Sequence, residues 1–144
     1  MRKIYTDGAC KNNPGKGGWA FVMLNESDKE VDEGFGSVKE STNQRMEMQA
    51  VISGLEKTDL KESVEIYSDS AYVVNCFNNN WMVGWKENGW KNRKNQDVKN
   101  KDLWVEMDDL VSNRSVTFIK VKGHSDNALN NKVDEMASNA AKNA

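Results

Sequence analysis

Hydrophobic and polar positions in the first 40 residues follow the alternation that is typical of β-strands. Apolar residues are concentrated in three stretches separated by polar turn residues, namely 4–5, 17–24 and 31–38. The pattern predicts three consecutive strands that pair as an antiparallel meander. An Asn-Asn-Pro-Gly sequence at residues 12–15 is typical of a tight turn, and we expect Asp7 at the end of the strand before it.

The spacing of apolar residues then changes to that of helices alternating with strands. Ser41, Thr42 and Asn43 are suitable N-caps for a first helix, whose apolar face extends over residues 46–55. The rest of the chain predicts a strand at 64–67, a helix from Ala71, a helix with apolar residues over 103–111, a strand at 116–121 and a terminal helix beginning near Leu129 or Asn130. The predicted order is β-β-β-α-β-α-(α)-α-β-α, with the bracketed helix inside residues 81–101.

This order predicts an α/β fold built on a five-stranded mixed sheet. Three antiparallel strands are followed by two parallel ones, because right-handed crossovers place the later strands parallel to a strand already in the sheet. Helices should cover both faces of the sheet. The 144 residues contain no internal repeat and no linker, so we expect a single domain spanning residues 1–144.

Composition limits the functional classes that the chain can belong to. Hydrophobic residues make up 38% and charged residues 29%, and no apolar run approaches the ~20 residues of a membrane span. The N-terminus enters strand-like sequence without the pattern of a signal peptide, so we expect a cytoplasmic protein without a membrane partner. Cys10 and Cys76 are too few for a disulfide framework and lack metal-site spacing, which favours free thiols.

The net charge of −2 argues weakly against a nucleic-acid partner, but one segment departs from the average. Residues 81–101 carry six basic side chains against two acidic ones, a local balance of +4. Trp85 and Trp90 lie among these cations and fit either satellite packing or a surface that contacts a nucleic-acid strand. Trp81 and Trp104 are most simply interpreted as core residues. The segment is therefore a candidate phosphate-binding surface.

Four carboxylates occupy positions that call for an explanation. Asp7 and Asp69 follow strands that should lie side by side, Glu47 is flanked by methionines in the first helix, and Asp134 lies early in the terminal helix. Taken singly, an aspartate at such a place often caps a turn or a helix. A charge that points inward, as Glu47 would, needs a compensating partner. Residue types and spacing alone leave both interpretations open.

The combination of motifs resembles type 1 ribonuclease H over essentially the whole chain. The resemblance rests on Thr6-Asp7-Gly8, Asn13-Pro14-Gly15, residues 42–47, Tyr67-Ser68-Asp69-Ser70, Gly123-His124 and residues 130–134, in order and with the spacing of that family. It implies the ribonuclease H-like fold. It also implies that Asp7, Glu47, Asp69 and Asp134 are catalytic metal ligands and that His124 is a loop histidine that assists turnover, although a lone histidine is often a loop or packing residue.

The implied activity is endonucleolytic hydrolysis of the RNA strand of RNA–DNA hybrids, leaving 5′-phosphate and 3′-hydroxyl ends. Four converging carboxylates repel one another unless cations neutralise them. Ligands that are all oxygen select hard ions, so we expect Mg²⁺, with Mn²⁺ tolerated. Two ions about 4 Å apart can hold a phosphodiester between an attacking water and a leaving oxygen.

The resemblance also assigns residues to the hybrid duplex as partner, with no obligate protein partner expected. Asn13, Asn43 and Gln44 would line the minor groove, and Thr42 and Asn100 would hold a DNA-strand phosphate. A basic protrusion at about 81–101 would grip the DNA strand, and the contacts expected from it are Trp81, Trp85, Lys86, Trp90 and Lys91. Glu40 departs from the family, because relatives often carry Arg there, and its negative charge should weaken the phosphate contact.

Two other functional classes remain as alternatives. One is a hybrid-binding module without catalysis, which would have no reason to carry four acidic positions. The other is a related polynucleotidyl transferase that acts on DNA duplexes, which would lack the tryptophan-bearing basic protrusion.

Overall fold

The computed structural model describes residues 1–122 and 127–144. Within these residues the chain forms five strands and five helices, in the predicted order. The elements are β1 (Arg2–Lys11), β2 (Gly15–Leu24), β3 (Glu30–Ser41), α1 (Asn43–Leu55), β4 (Ser63–Ser68), α2 (Ala71–Asn78), α3 (Trp81–Glu87), α4 (Lys101–Ser112), β5 (Ser115–Lys120) and α5 (Ala128–Lys142).

The strands form one sheet in the order β3-β2-β1-β4-β5. β1 pairs antiparallel with β2, and β2 pairs antiparallel with β3. β4 lies parallel to β1 on its other side, with Ile66 opposite Ile4, and β5 extends the sheet parallel to β4. The predicted mixed sheet of three antiparallel strands followed by two parallel ones is confirmed.

Helices cover both faces of the sheet, as two adjacent glycines of β2 show. A Cβ on Gly17 would lie 2.7 Å from the Sδ of Met46 on α1, whereas a Cβ on Gly18 would lie 2.3 Å from the carbonyl oxygen of Ala137 on α5. Because neighbouring residues of a strand point to opposite faces, α1 and α5 pack on opposite sides. The missing side chains at these two positions let both helices approach the sheet closely.

Capping side chains determine where three of the helices begin. Thr42 accepts a hydrogen bond from the backbone N–H of Arg45 at the start of α1, and Ser70 accepts one from Val73 at the start of α2. Asn127 accepts bonds of 3.0 Å from the N–H groups of Leu129 and Asn130. These bonds satisfy N–H groups that have no partner within the helix, so each of these three helices begins where a capping side chain is available.

The main core lies on the face of the sheet that α1, α2 and α4 cover. Its largest fully buried side chains include Phe21, Met48, Ile66 and Trp104, and the last of these confirms the interpretation of Trp104 as a core residue. Cys10 and Cys76 are both free thiols, as expected. Burial raises the pKa of Cys76 to about 12, so its thiol stays protonated. None of the described helices is long and apolar enough to cross a membrane.

The expected position of Asp7 at the end of a strand is wrong. Asp7 lies inside β1, where it pairs with Ala20 of β2, and β1 continues to Lys11. The parallel pairing with β4 stops earlier, at Tyr5 and Tyr67, because β4 ends at Ser68 and the chain turns into α2. Asp7 therefore lies just beyond the end of the parallel ladder, close to where β4 ends.

Candidate active site and nucleic-acid interface

Three of the four expected carboxylates meet at the point where β1 and β4 separate. Asp7 on β1, Glu47 on α1 and Asp69 directly after β4 each place one carboxylate oxygen within 4.8 Å of the others. The pairing of β1 with β4 accounts for the two aspartates. The closeness of α1 depends on Gly8, because a Cβ there would lie 2.3 Å from the backbone nitrogen of Glu47. A glycine after Asp7 thus brings the helical glutamate to the strand aspartate.

Asp7 is held in a fixed position with little access to solvent. The residue is 3% exposed, and its Oδ1 accepts a hydrogen bond of 2.9 Å from the backbone N–H of Gly8. Burial raises the pKa of Asp7 to about 7, and the charges of Asp69 and Asp134 act in the same direction. The hydrogen bond from Gly8 opposes this rise without cancelling it. Without a cation, the carboxyl group is therefore only partly ionised near neutral pH.

Glu47 is the least satisfied polar group of the site. Its Oε2 is inaccessible to solvent and has no hydrogen-bond partner among the described residues. Burial raises the pKa of Glu47 well above its usual value, and the neighbouring charge of Asp7 adds to the effect. Buried polar atoms are almost always paired in folded proteins, so an oxygen left in this state indicates a missing partner. A cation between Glu47, Asp7 and Asp69 would supply that partner.

Asp134 approaches the same cluster from the opposite helix layer. It lies half-buried on α5, and its charge raises the pKa values of both Asp7 and Asp69. The pKa of Asp69 is raised first by burial and then by Asp134, while the cation of Lys120 lowers it. Asp134 lies outside the group of three whose oxygens are within 4.8 Å. The four carboxylates therefore form a close trio with a fourth charge at its edge. His124 lies outside the described residues.

The expected minor-groove residues form a rim beside the carboxylates. The Oδ1 of Asn13, in the exposed β1–β2 turn, accepts a hydrogen bond of 3.1 Å from the backbone N–H of Asn43 at the start of α1. Asn13 and Asn43 are both exposed, and Thr42 lies beside them as the cap of the helix. The turn and the helix thus present amide side chains on one continuous surface.

Gln44 and Asn100 belong to a hydrogen-bond network. It also includes Tyr72 and Arg45, to which the sequence analysis assigned no role. The Nδ2 of Asn100 donates to the Oε1 of Gln44 at 3.4 Å and to the hydroxyl of Tyr72 at 3.2 Å. Arg45 donates to Asp102 through both terminal nitrogens, at 2.9 and 2.7 Å, and to the Oδ1 of Asn100 at 3.3 Å. Asn100 is therefore fixed from three directions, and α1 is tied to α4.

Sequence reasoning assigned no role to Arg45, although a signal was present. A cation in the first turn of a helix is disfavoured by the helix dipole and therefore calls for an anionic partner. The structure provides that partner as Asp102 on α4, 57 positions further along the chain. The separation explains why the pairing was not found from the sequence.

The tryptophans of residues 81–101 form a chain of rings that leads from the surface to the core. Trp81 and Trp85 have ring centroids 6.2 Å apart, Trp85 and Trp90 6.3 Å, and Trp85 and Trp104 5.8 Å. The interpretation of Trp81 as a core residue is wrong, because it is 36% exposed, whereas Trp85 and Trp90 are half-buried. Helix α3 is a short surface element that buries Met82 and leaves Trp81 at its outer edge.

Half of the cations in this segment are already paired with acidic side chains. The Nζ of Lys86 lies 2.7 Å from Asp108, and the Nζ of Lys91 lies 2.7 Å from Asp97. Lys101 also contacts Asp97, at 3.6 Å. Within the described part of the chain, three cations of the segment have no ion pair, namely Arg93, Lys94 and Lys99. Glu40 is exposed near the end of β3, two residues before Thr42.

The chain matches known proteins over nearly its whole length. The family model for RNase H matches residues 2–142. The ribonuclease H of Acetivibrio thermocellus is 47% identical over 140 residues, covering 96% of this chain and 93% of that protein. The ribonuclease H of Francisella tularensis subsp. novicida is 50% identical over 137 residues, covering 94% of this chain and 88% of that protein.

Solved structures agree with the fold. LC9-RNase H1, described as a type 1 RNase H with the type 2 active-site motif, has a TM-score of 0.85 and 25% identity, covering 99% of this chain and 72% of that one. LC11-RNase H1, solved in complex with an RNA/DNA hybrid, has a TM-score of 0.76 and 22% identity, covering 99% of this chain and 98% of that one. With a family model spanning nearly all residues and relatives at about half identity, the chain belongs to the ribonuclease H family and is a ribonuclease H enzyme.

Proposed function

We propose that the enzyme is an endonuclease that hydrolyses the RNA strand of RNA–DNA hybrids, with 5′-phosphate and 3′-hydroxyl products. The observation that carries the proposal is the buried, unpaired Oε2 of Glu47 beside Asp7 and Asp69. An acidic trio of this kind is costly to keep unless a cation is bound there during function.

The residues present fit Mg²⁺. Asp7, Glu47 and Asp69 offer carboxylate oxygens within 4.8 Å of one another, and Asp134 adds a fourth carboxylate at the edge. Hard oxygen ligands favour Mg²⁺, for which Mn²⁺ can substitute. We propose that the four carboxylates hold two ions during catalysis. The chemistry that such a pair supplies is activation of the attacking water and stabilisation of the leaving 3′ oxygen.

The chain's own residues have separate tasks in this reaction. Asp7 and Glu47 are fixed by the backbone around Gly8 and supply ligand atoms that cannot move away from one another. Asp69 and Asp134 are half-buried, so their outer oxygens can face the substrate side. We assign His124 to proton transfer or product release on the resemblance to type 1 ribonuclease H.

Hybrid recognition is assigned to the rim and the protrusion. A general hybrid nuclease must read 2′-hydroxyls on one strand and accept deoxyribose on the other, without depending on base sequence. The amides of Asn13, Asn43 and Gln44 offer donors and acceptors suited to the minor groove, and Thr42 and Asn100 suit a DNA-strand phosphate. The exposed edge of Trp81 and the cations beside Trp85 and Trp90 suit the DNA backbone. LC11-RNase H1, which shares the fold, was solved with such a hybrid.

We further infer that residues 1–144 act as one ribonuclease H domain with a protrusion at about 81–101 and no obligate protein partner. The continuous sheet and the contacts of α1 and α5 with its central strands support a single unit. The substrate supports a cytoplasmic location, since RNA–DNA hybrids are nucleic acids of the cell interior.

One assay tests the proposed activity against its alternatives. Labelled RNA–DNA hybrid, double-stranded DNA and double-stranded RNA are incubated with the protein in Mg²⁺ and in EDTA, and cleavage of each strand is followed. We expect loss of RNA from the hybrid in Mg²⁺ alone. Binding without cleavage would favour a hybrid-binding module, and cleavage of the DNA duplex would favour a DNA-acting transferase.

Two variants test whether Asp69 belongs to the catalytic carboxylates. Asp69→Asn should lower hydrolysis at least ~100-fold, since it removes a charged ligand from the trio. Asp32→Asn is the matched control, because Asp32 is an exposed aspartate on the edge strand β3. Wild-type cleavage by Asp69→Asn would remove Asp69 from the proposed set.

A further inference from the structure

The loop that begins at Lys91 is a small hairpin built around Asn92 and Asp97. Lys91 and Asp97 form an isolated antiparallel bridge, and the backbone N–H of Val98 donates to the carbonyl of Trp90 at 3.0 Å. The Oδ1 of Asn92 accepts from the N–H groups of Lys94 and Gln96, at 2.9 and 3.1 Å. These bonds fix the hairpin, so the side chain of Asp97 has a defined place at its base.

Asp97 holds two of the cations on which the protrusion depends. Its Oδ1 lies 2.7 Å from the Nζ of Lys91 and 3.6 Å from the Nζ of Lys101. One carboxylate oxygen of Asp97 thus contacts two ammonium groups. A phosphate oxygen would contact them in the same way. The side chains of Lys91, Asp97 and Lys101 are 41%, 58% and 39% exposed, so a phosphate in solution can reach all three. The lysines lower the pKa of Asp97, which keeps it ionised and able to compete.

We propose that Asp97 is an intramolecular competitor of the nucleic-acid backbone, which limits the affinity of the protrusion and thereby preserves discrimination between hybrid and other duplexes. The inference rests on the proposed function, in which the protrusion contacts the DNA strand. Phosphate contacts carry no information about sequence or sugar, so excess phosphate affinity strengthens binding to every duplex. An exposed ion pair is weak, so a phosphate can displace Asp97, but the cost of that displacement lowers the affinity for every duplex.

The ion pair between Lys86 and Asp108 differs from those of Asp97. Asp108 lies on α4 with a side chain only 26% exposed, and its bond to Lys86 ties α3 to α4. Removing Asp108 would therefore disturb the packing of the protrusion. Asp97 lies on the loop itself and is more exposed, so its charge can be removed without removing such a tie. This difference makes Asp97 the suitable residue for a test.

Asp97→Asn is compared with Asp28→Asn as a matched control. Asp28 is 63% exposed, forms an ion pair of 2.9 Å with Lys3, and its backbone φ of 59° is one that Asn readily adopts. Both variants change the formal charge by the same amount; Asp28→Asn removes one exposed ion pair and Asp97→Asn removes two. Binding to RNA–DNA hybrid and to double-stranded DNA is measured in EDTA from low to moderate salt, and cleavage of the hybrid is measured in Mg²⁺.

Asp97→Asn should bind the hybrid about 3- to 10-fold more tightly at low salt, with a log–log salt slope steeper by about 1 to 2, since one or two phosphate contacts are gained. Affinity for double-stranded DNA should rise by at least the same factor, and KM for the hybrid should fall without a rise in kcat. Asp28→Asn should keep the wild-type slope. Asp97→Glu, which retains the charge, should also keep it.

Two further outcomes decide the proposal. Replacing Lys91 and Lys101 by Gln should reduce the slope less in the wild type than in the Asp97→Asn background, where it should abolish the gain; equal reductions in the two backgrounds would show that Asp97 does not restrain the lysines and would overturn the proposal. Equal slopes for Asp97→Asn and Asp28→Asn would overturn it as well. If the wild type failed to cleave the hybrid, the proposed function itself would fail, which is a separate and distinguishable result.

Discussion

Asp7 on β1 and Glu47 on α1 bring one carboxylate oxygen each within 4.8 Å of the other, at a site with little access to solvent. Two like charges at this distance disfavour ionisation of both groups, so the site holds protons when no cation is present. Burial raises the pKa of both residues, and the charge of Asp7 raises that of Glu47 further. A cation bound at the proposed metal site must therefore displace protons.

The first prediction concerns the stability of the metal-free protein. The pKa of Asp7 is raised from 3.8 to about 7, so between these pH values the folded state binds more protons than the unfolded state. The free energy of unfolding must then fall as pH rises through this window. Asp7→Asn should be more stable than wild type in EDTA at pH 8 by about 1–3 kcal/mol, and the difference should shrink towards pH 5. Urea unfolding at several pH values measures it.

The control for that experiment is Asp32→Asn, which removes an exposed charge from β3. Its difference from wild type should stay small at every pH. A stability difference for Asp7→Asn that is constant from pH 5 to pH 8 would contradict the assigned pKa, since the titration of Asp7 and its effect on Glu47 make the difference depend on pH.

The second prediction concerns the displaced proton. At the proposed Mg²⁺ site, Asp7, Glu47 and Asp69 would bind the ion in their ionised forms, and all three have raised pKa values. Metal binding should therefore release protons below about pH 7, and Mg²⁺ affinity should increase as pH rises through this value. Calorimetry in two buffers with different ionisation enthalpies counts the protons released. Zero release at pH 6 would show that the carboxylates are already ionised.

The third prediction tests how Gly8 brings the carboxylates together. A Cβ at Gly8 would lie 2.3 Å from the backbone nitrogen of Glu47, so Gly8→Ala must push α1 away from β1. We expect a loss of stability of about 1–3 kcal/mol and a large loss of Mg²⁺-dependent cleavage. Gly84→Ala is the control, because no atom outside the local helix backbone lies within 4 Å of its Cβ position. That variant should be neutral or slightly more stable, since alanine favours helix.

These sites show which features the sequence could predict. Strand alternation and helix caps such as Thr42 and Ser70 act over a few residues, so the elements and their order were predictable. The place of Asp7 inside β1 was not, because β1 stays paired with β2 as far as Lys11 although its parallel pairing with β4 ends at Tyr5. The exposure of Trp81 depends on how the short helix α3 lies on the surface, which its own pattern does not determine.

The number of free cations in the protrusion also depends on contacts that a charge count does not include. A count of charges in residues 81–101 gave a basic surface, but the pairing of Lys86 with Asp108 joins that segment to a residue outside it. The pairing of Lys91 with Asp97 is local, yet it depends on the hairpin geometry set by Asn92. A net charge from sequence therefore overestimates the number of cations that are free for phosphate.

The last prediction concerns Arg45, which binds Asp102 through two parallel hydrogen bonds and also contacts Asn100. Lysine keeps the charge but cannot form the bidentate pair, so Arg45→Lys should remove one of the three contacts that fix Asn100 and leave those to Gln44 and Tyr72. We expect KM for the hybrid to rise about 5- to 20-fold with kcat little changed, because uniform substrate binding is lost while the carboxylates stay in place. Steady-state kinetics over a range of hybrid concentrations separates the two parameters.

Asp102→Asn provides the matching half of a double-mutant cycle. If Arg45 acts by fixing Asn100 through this pair, the two substitutions together should cost little more than either one alone. Thermal unfolding should change by less than about 1 kcal/mol, because the pair is largely exposed. Additive effects on KM would show that Arg45 acts on substrate binding independently of Asp102 and would contradict this role of the pair.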